Sequence, residues 1–149
     1  MSETSYQIAG LSGPVDIRID RWGIAHIKAE SQPDAFFAQG WNAARDRLWQ
    51  IDLWRKRGLG LLAGDFGPKY AKKDEAARLF LYNGDMAAEW RCYGPNAEAW
   101  TEAFVAGINA YLDGIDAGSH PTPPEFTLMG TRPARWQAVD VVRIRSHAR

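Results

Sequence analysis

Apolar and polar residues alternate along the first part of the chain. Val15, Ile17 and Ile19 are interleaved with Asp16, Arg18 and Asp20, and after Trp22-Gly23 the alternation resumes with Ile24, His26 and Lys28 against Ala25, Ile27 and Ala29. A period of two predicts half-buried strands, here a hairpin of Val15–Asp20 and Ile24–Ala29. Gly23 suits the turn because it takes a positive φ without steric cost. The period then changes. Ser31-Gln-Pro-Asp34 has a capping hydroxyl, an early proline and an acidic residue, the composition of a helix start. Phe37, Trp41, Ala44, Leu48 and Ile51 follow at steps of three and four, predicting one apolar face of a long helix that ends near Gly58 or Gly60. Gly64-Asp-Phe-Gly-Pro68 reads as a loop, and Asp74–Trp90 as a second helix. Gly94-Pro-Asn96 introduces a third, Ala97–Ile115, with Trp100, Phe104, Ile108 and Leu112 in step. His120-Pro-Thr-Pro-Pro-Glu125 reads as an extended crossing, because its prolines remove donors and restrict the residues before them. Gln137–Arg149 reads as a helix still running at the last residue, with Val139, Val142 and Ala148 on one face. The pattern predicts a mostly α fold with an N-terminal β-hairpin. No repeat and no internal boundary divides residues 1–149, so the chain reads as a single piece.

Composition narrows the partners. Apolar residues form 46% of the 149, enough for a core, and seven tryptophans point to a well-packed interior or an extensive interface. Eighteen basic and eighteen acidic residues leave no net charge to attract nucleic acid or an anionic membrane. Cys92 is the one cysteine, so no intrachain disulfide forms, and it reads as a half-buried structural thiol. The N-terminus lacks a basic segment followed by an apolar one, so the sequence as given reads as cytoplasmic, or periplasmic if an export signal has been trimmed.

Candidate chemistry is sparse. His26, His120 and His147 are far apart and form no close ligand pair, so no metal residue is assigned. There is no Gly-x-Ser-x-Gly elbow, and the glycines at 58, 60, 64 and 67 lack the Lys-Ser/Thr of a phosphate loop. Arg45-Asp46-Arg47 is the sharper feature, a charged triplet inside an apolar helix. A buried Asp46 must be paired, since an uncompensated interior charge costs several kcal/mol. The triplet therefore reads as a structural ion-pair hub, with a catalytic group and a solvated face as the alternatives. Asp20, Trp22 and Gly23 read as structural residues of the hairpin turn.

Several segments resemble the penicillin acylase family of N-terminal-nucleophile amidohydrolases. They are Val15–Ala29, Asp34-Ala-Phe-Phe-Ala-Gln-Gly40, Ala44-Arg-Asp-Arg-Leu-Trp-Gln50, Gly107-Ile-Asn-Ala-Tyr111, Pro124-Glu-Phe126, and Pro133-Ala-Arg-Trp136 with Asp140, in the family's order. The resemblance implies a precursor that cuts itself into a small α chain and a large β chain. The β chain's new N-terminal residue, usually Ser, is the nucleophile, with its own α-amino group as base. This chain is similar to the α chain, one part of a four-layer αββα fold, and on that reading holds no catalytic residue and is inactive alone. The implied partners are the β chain and a small-molecule N-acyl substrate. In the family the last helix continues past the position of Arg149 and supplies pocket-gating residues. In several members it also gives an acidic ligand to a calcium ion held mainly by the β chain. The chain thus reads as lacking its C-terminal tail, and Ser146 and Arg149, next to the gating segment, are the substrate-pocket candidates. The alternative for Arg149 is a solvated basic stripe with Arg143 and Arg145. The alternative for the chain is a free-standing helical module that binds a protein partner through a tryptophan-rich face.

Overall fold

The structure, a computed structural model, describes residues 4–144. β1 (Asp16–Ile19) and β2 (Ala25–Lys28) form an antiparallel pair with Ile17 opposite Ile27 and Arg18 opposite His26. The turn closes with Gly23 at φ 81°, donating to the carbonyl of Asp20.

Helix α1 (Gln32–Leu59) starts at Ser31, whose hydroxyl accepts from the Asp34 amide, and ends at Gly60 in the left-handed conformation. Both ends follow the sequence signals. Its middle does not, because Arg47 leaves helical geometry (φ −142°, ψ 23°) and breaks α1 into two segments. Helix α5 (Ala97–Asp116) packs along α1. Two glycines set their separation. A Cβ on Gly40 would lie 1.8 Å from the Phe104 carbonyl oxygen, and one on Gly107 would lie 1.9 Å from that of Phe37. The core sits in this seam. It comprises Trp41, Ala44, Leu48, Ile108, Tyr111, Leu112 and Phe126. Tyr6 and His120 lay their rings against Trp41 and Tyr111, fastening the N-terminal segment and the loop after α5 to it.

Four expectations need correction. Gly64–Pro68 is not an open loop, since α2 (Leu62–Phe66) and a 3-10 turn (Pro68–Tyr70) occupy the region. The Asp74 carboxylate accepts from the amides of Leu62 and Ala63 and so caps α2 from twelve residues away, which local composition does not reveal. The second helix is two, α3 (Ala71–Leu79) and α4 (Met86–Tyr93). Asn83-Gly84 separates them, and the Asp85 side chain caps α4 by accepting from Ala87. The crossing at 120–125 is extended only to Pro123, where α6 (Pro124–Met129) begins with proline in its first turn, the one place a missing donor is harmless. Cys92 is exposed, not half-buried. The last helix, α7 (Ala138–Arg143), is closed by Ile144, and the rest of the expected Gln137–Arg149 helix lies outside the described residues. Among the described residues no helix is long and apolar enough to cross a membrane.

Candidate functional site

The charged triplet sits at the break in α1. Its position follows from helix geometry, since residue 46 is about 200° from both Ala44 and Leu48, which face the core. Asp46 is accordingly exposed, 38% by its side chain, and the expectation of a buried hub is corrected. It is still paired, accepting from Arg45 Nε at 2.8 Å and from Asn42 Nδ2 at 3.2 Å. Arg47 is exposed beside it. Beneath the break lies a cleft of about 290 Å³ between α1 and the proline-rich segment, lined by Arg45, Asp46, Trp49, Gln50, Tyr111 and Glu125 among others. Burial, then the nearby Tyr6, pushes the Tyr111 hydroxyl's pKa up.

Buried charge does occur in α1, one turn further on. Asp52, Arg55 and Lys56 are all buried. Lys56 Nζ contacts Asp52 at 2.8 Å, Asp65 at 2.6 Å and the Arg132 carbonyl at 2.8 Å, using all three of its donors. Asp52 also accepts from the Ala134 amide at 3.2 Å. Burial raises its pKa, against the opposing pull of Lys56. Arg55 Nε donates to Asp140 at 2.7 Å, and Asp140 in turn accepts from the Gln137 amide and caps α7. These pairs tie α1 to the segment 132–140. The sequence carried a signal for them, because 48, 52, 55 and 59 continue the apolar stripe with charged residues at 52 and 55.

Asp20, Trp22 and Gly23 meet in the hairpin turn. The Asp20 carboxylate accepts from the amides of Trp22 and Ile24, each at 2.9 Å, and lies 3.2 Å from His26 Nε2. The Ile24 amide is the main cause of its lowered pKa. Trp22 is 70% exposed, with the Arg21 guanidinium 4.0 Å above its ring. Ser146 and Arg149 lie outside the described residues. His120 Nδ1 is 3.0 Å from the Ser119 carbonyl, and His26 has Asp20. Neither described histidine is hydrogen-bonded to a hydroxyl or thiol. Among the described residues no group of three or more His, Cys, Asp or Glu is placed to hold a metal ion.

This architecture has known relatives. A structure of thermostable penicillin G acylase from Alcaligenes faecalis is similar with a TM-score of 0.79 and 25% identity, covering 88% of this chain and 69% of that one. Penicillin acylase 2 proenzyme of Pseudomonas sp. (strain SE83) is 38% identical over 133 residues, 89% of this chain but 17% of the proenzyme. Acyl-homoserine lactone acylase QuiP of Pseudomonas aeruginosa is 30% identical over 133 residues, 15% of its own length. The chain thus spans about a sixth of these curated relatives. The family model for penicillin amidase matches residues 14–148, and the chain belongs to that family.

Proposed function

We propose that this chain is the α portion of an acylase that hydrolyses the amide bond of N-acyl compounds, with the nucleophilic serine on a β chain cut from the same precursor. One observation carries the reading. The match runs through 89% of this chain yet takes in only 17% of a penicillin acylase proenzyme. What is left for the chain is a structural and positioning role. Its glycine-set helix pair and its buried ion pairs hold a scaffold on which a larger chain would complete the four-layer fold. The calcium implied by the resemblance would be held mainly by that larger chain. The relatives' names point to β-lactam and acyl-homoserine lactone amides as the first substrates to try. Family membership favours this reading over a free-standing module, and makes the exposed tryptophans part of an assembly.

The test is expression of the coding region extended downstream of Arg149, beside residues 1–149 alone. The extended product is expected to yield two associated chains that release acyl groups from phenylacetyl, glutaryl or homoserine-lactone amides. The short chain is expected to hydrolyse none. Turnover by residues 1–149, with no second polypeptide detectable by mass spectrometry, would overturn the proposal.

A further inference from the structure

The residues of α1 that remain exposed beyond its first turn are Gln39, Asp46, Arg47, Gln50, Trp54 and Arg57. From the break onward, steps of three, four and three keep Arg47, Gln50, Trp54 and Arg57 on one face of α1, with Asp46 beside Arg47 and Gln39 on the segment before the break. Trp54 is 74% exposed, the most exposed of the seven tryptophans. Arg47 lies two helical turns before it and Arg57 one turn after, about 10 Å and 5 Å along the axis. Asp46 already has Arg45 and Asn42, whereas among the described residues neither Arg47 nor Arg57 has a hydrogen-bond or ion-pair partner for its guanidinium. A tryptophan set between two unengaged arginines has the composition of an interface centre, since these two residue types carry most binding hot spots. Local sequence does not account for the nearby break either. Ala43-Ala-Arg-Asp-Arg-Leu-Trp49 holds no proline or glycine, the usual causes of a kink.

We infer that this stripe docks the remainder of the acylase polypeptide, which presents an apolar recess for Trp54 flanked by carboxylate or carbonyl acceptors for Arg47 and Arg57. The inference rests on the acylase reading above, and two features select the occupant. About five-sixths of the length of the related proenzyme lies outside the matched region, so that relative has ample further polypeptide to supply such an occupant. The stripe carries unpaired positive charge, so a second copy of this chain set against it would bring like charges together, whereas an acceptor-rich partner would neutralise them. The Arg45-Asp46-Arg47 triplet then has a divided role. Its first two members satisfy each other, and the third is left for the partner.

The test uses the full precursor product. A photo-cross-linking benzoylphenylalanine replaces Trp54, and the cross-linked peptides are mapped by mass spectrometry. In parallel, Trp54→Ala with Arg47→Glu is compared with Lys72→Glu with Lys73→Glu on the exposed side of α3. We expect cross-links to the downstream polypeptide. We also expect at least a tenfold fall in assembled enzyme for the α1 variant, with turnover per assembled site unchanged and the α3 variant near wild type. Cross-links to a second copy of this chain, no cross-links, or wild-type assembly of the α1 variant would each overturn the inference. If the wild-type product assembles and is active while the α1 variant assembles equally well, only the docking face is wrong. If the wild-type product neither associates with a second chain nor cleaves amides, the acylase reading fails and this inference with it.

Discussion

Lys56→Met removes the charge at the centre of the buried network while keeping most of the side chain's volume. The ammonium is 8% exposed by its side chain and holds Asp52, Asp65 and the Arg132 carbonyl together. Without it, Asp65, at 25% exposure, turns to water, but Asp52, at 2%, keeps only the Ala134 amide. Breaking a buried pair by deleting one partner costs about 3–5 kcal/mol, while replacing both partners with apolar residues is often neutral. Lys56→Met is therefore expected to lose about 3–5 kcal/mol in urea unfolding, and Lys56→Met with Asp52→Leu to recover most of it. The pH dependence gives a second check. The Asp52 pKa is raised above its ordinary 3.8 on folding, so the folded state binds this proton more readily than the unfolded. Its contribution to stability is therefore present at low pH and lost as pH rises through the folded value. Lys56 pulls that value down, so its removal shifts the window upward and makes the variant's deficit shrink on acidification. A loss under about 1 kcal/mol, or a double variant as unstable as the single, would refute the network as the lock between α1 and residues 132–140.

Gly107→Ala should cost about 3 kcal/mol or more and lower the yield of folded protein, because the added Cβ meets backbone at 1.9 Å where no side chain can yield. Thermal unfolding measures it. Asp46→Ala should change unfolding free energy by no more than about 1 kcal/mol, as for other exposed pairs, and a loss of 3 would restore the buried hub. Ser12 hydrogen bonds are the main cause of the lowered Asp34 pKa, so that carboxylate stabilises the fold above its ordinary value of 3.8 and loses the effect as pH falls through the folded value. Ser12→Ala should lower stability in the neutral region of a circular-dichroism titration and leave the most acidic region comparatively unaffected, so that the acid limb flattens.

The parts legible in sequence were those fixed by near neighbours. The hairpin, the Ser31 cap, the Gly60 stop and the α5 span all follow from periodicity or from residues a few positions apart. What escaped is set by distant partners. Asp74 caps α2 across twelve residues, Lys56 meets Arg132 across 76, and Arg55 meets Asp140 across 85. The candidate site divides in the same way. Asp20 and Gly23 make a local turn whose chemistry the sequence displays. The apolar neighbours of Asp46 suggest an interior place, whereas its angle to the buried Ala44 and Leu48 puts it outside.

That division bears on how α1 works. Charges on its inward face at 52, 55 and 56 find partners within the chain, on α2 and on residues 132–140. Charges on its outward face at 47 and 57 find none among the described residues. Desolvating an arginine without a partner is costly, so a surface that binds another chain must leave its arginines available until acceptors arrive. Inward pairs lie wholly within this chain and need no second polypeptide to complete them. The inward ion pairs would then fix the line of α1, and that line sets the spacing of Arg47, Trp54 and Arg57 which a partner has to meet. Loosening the Lys56 network should therefore weaken docking through geometry alone, with every residue of the outer stripe left in place.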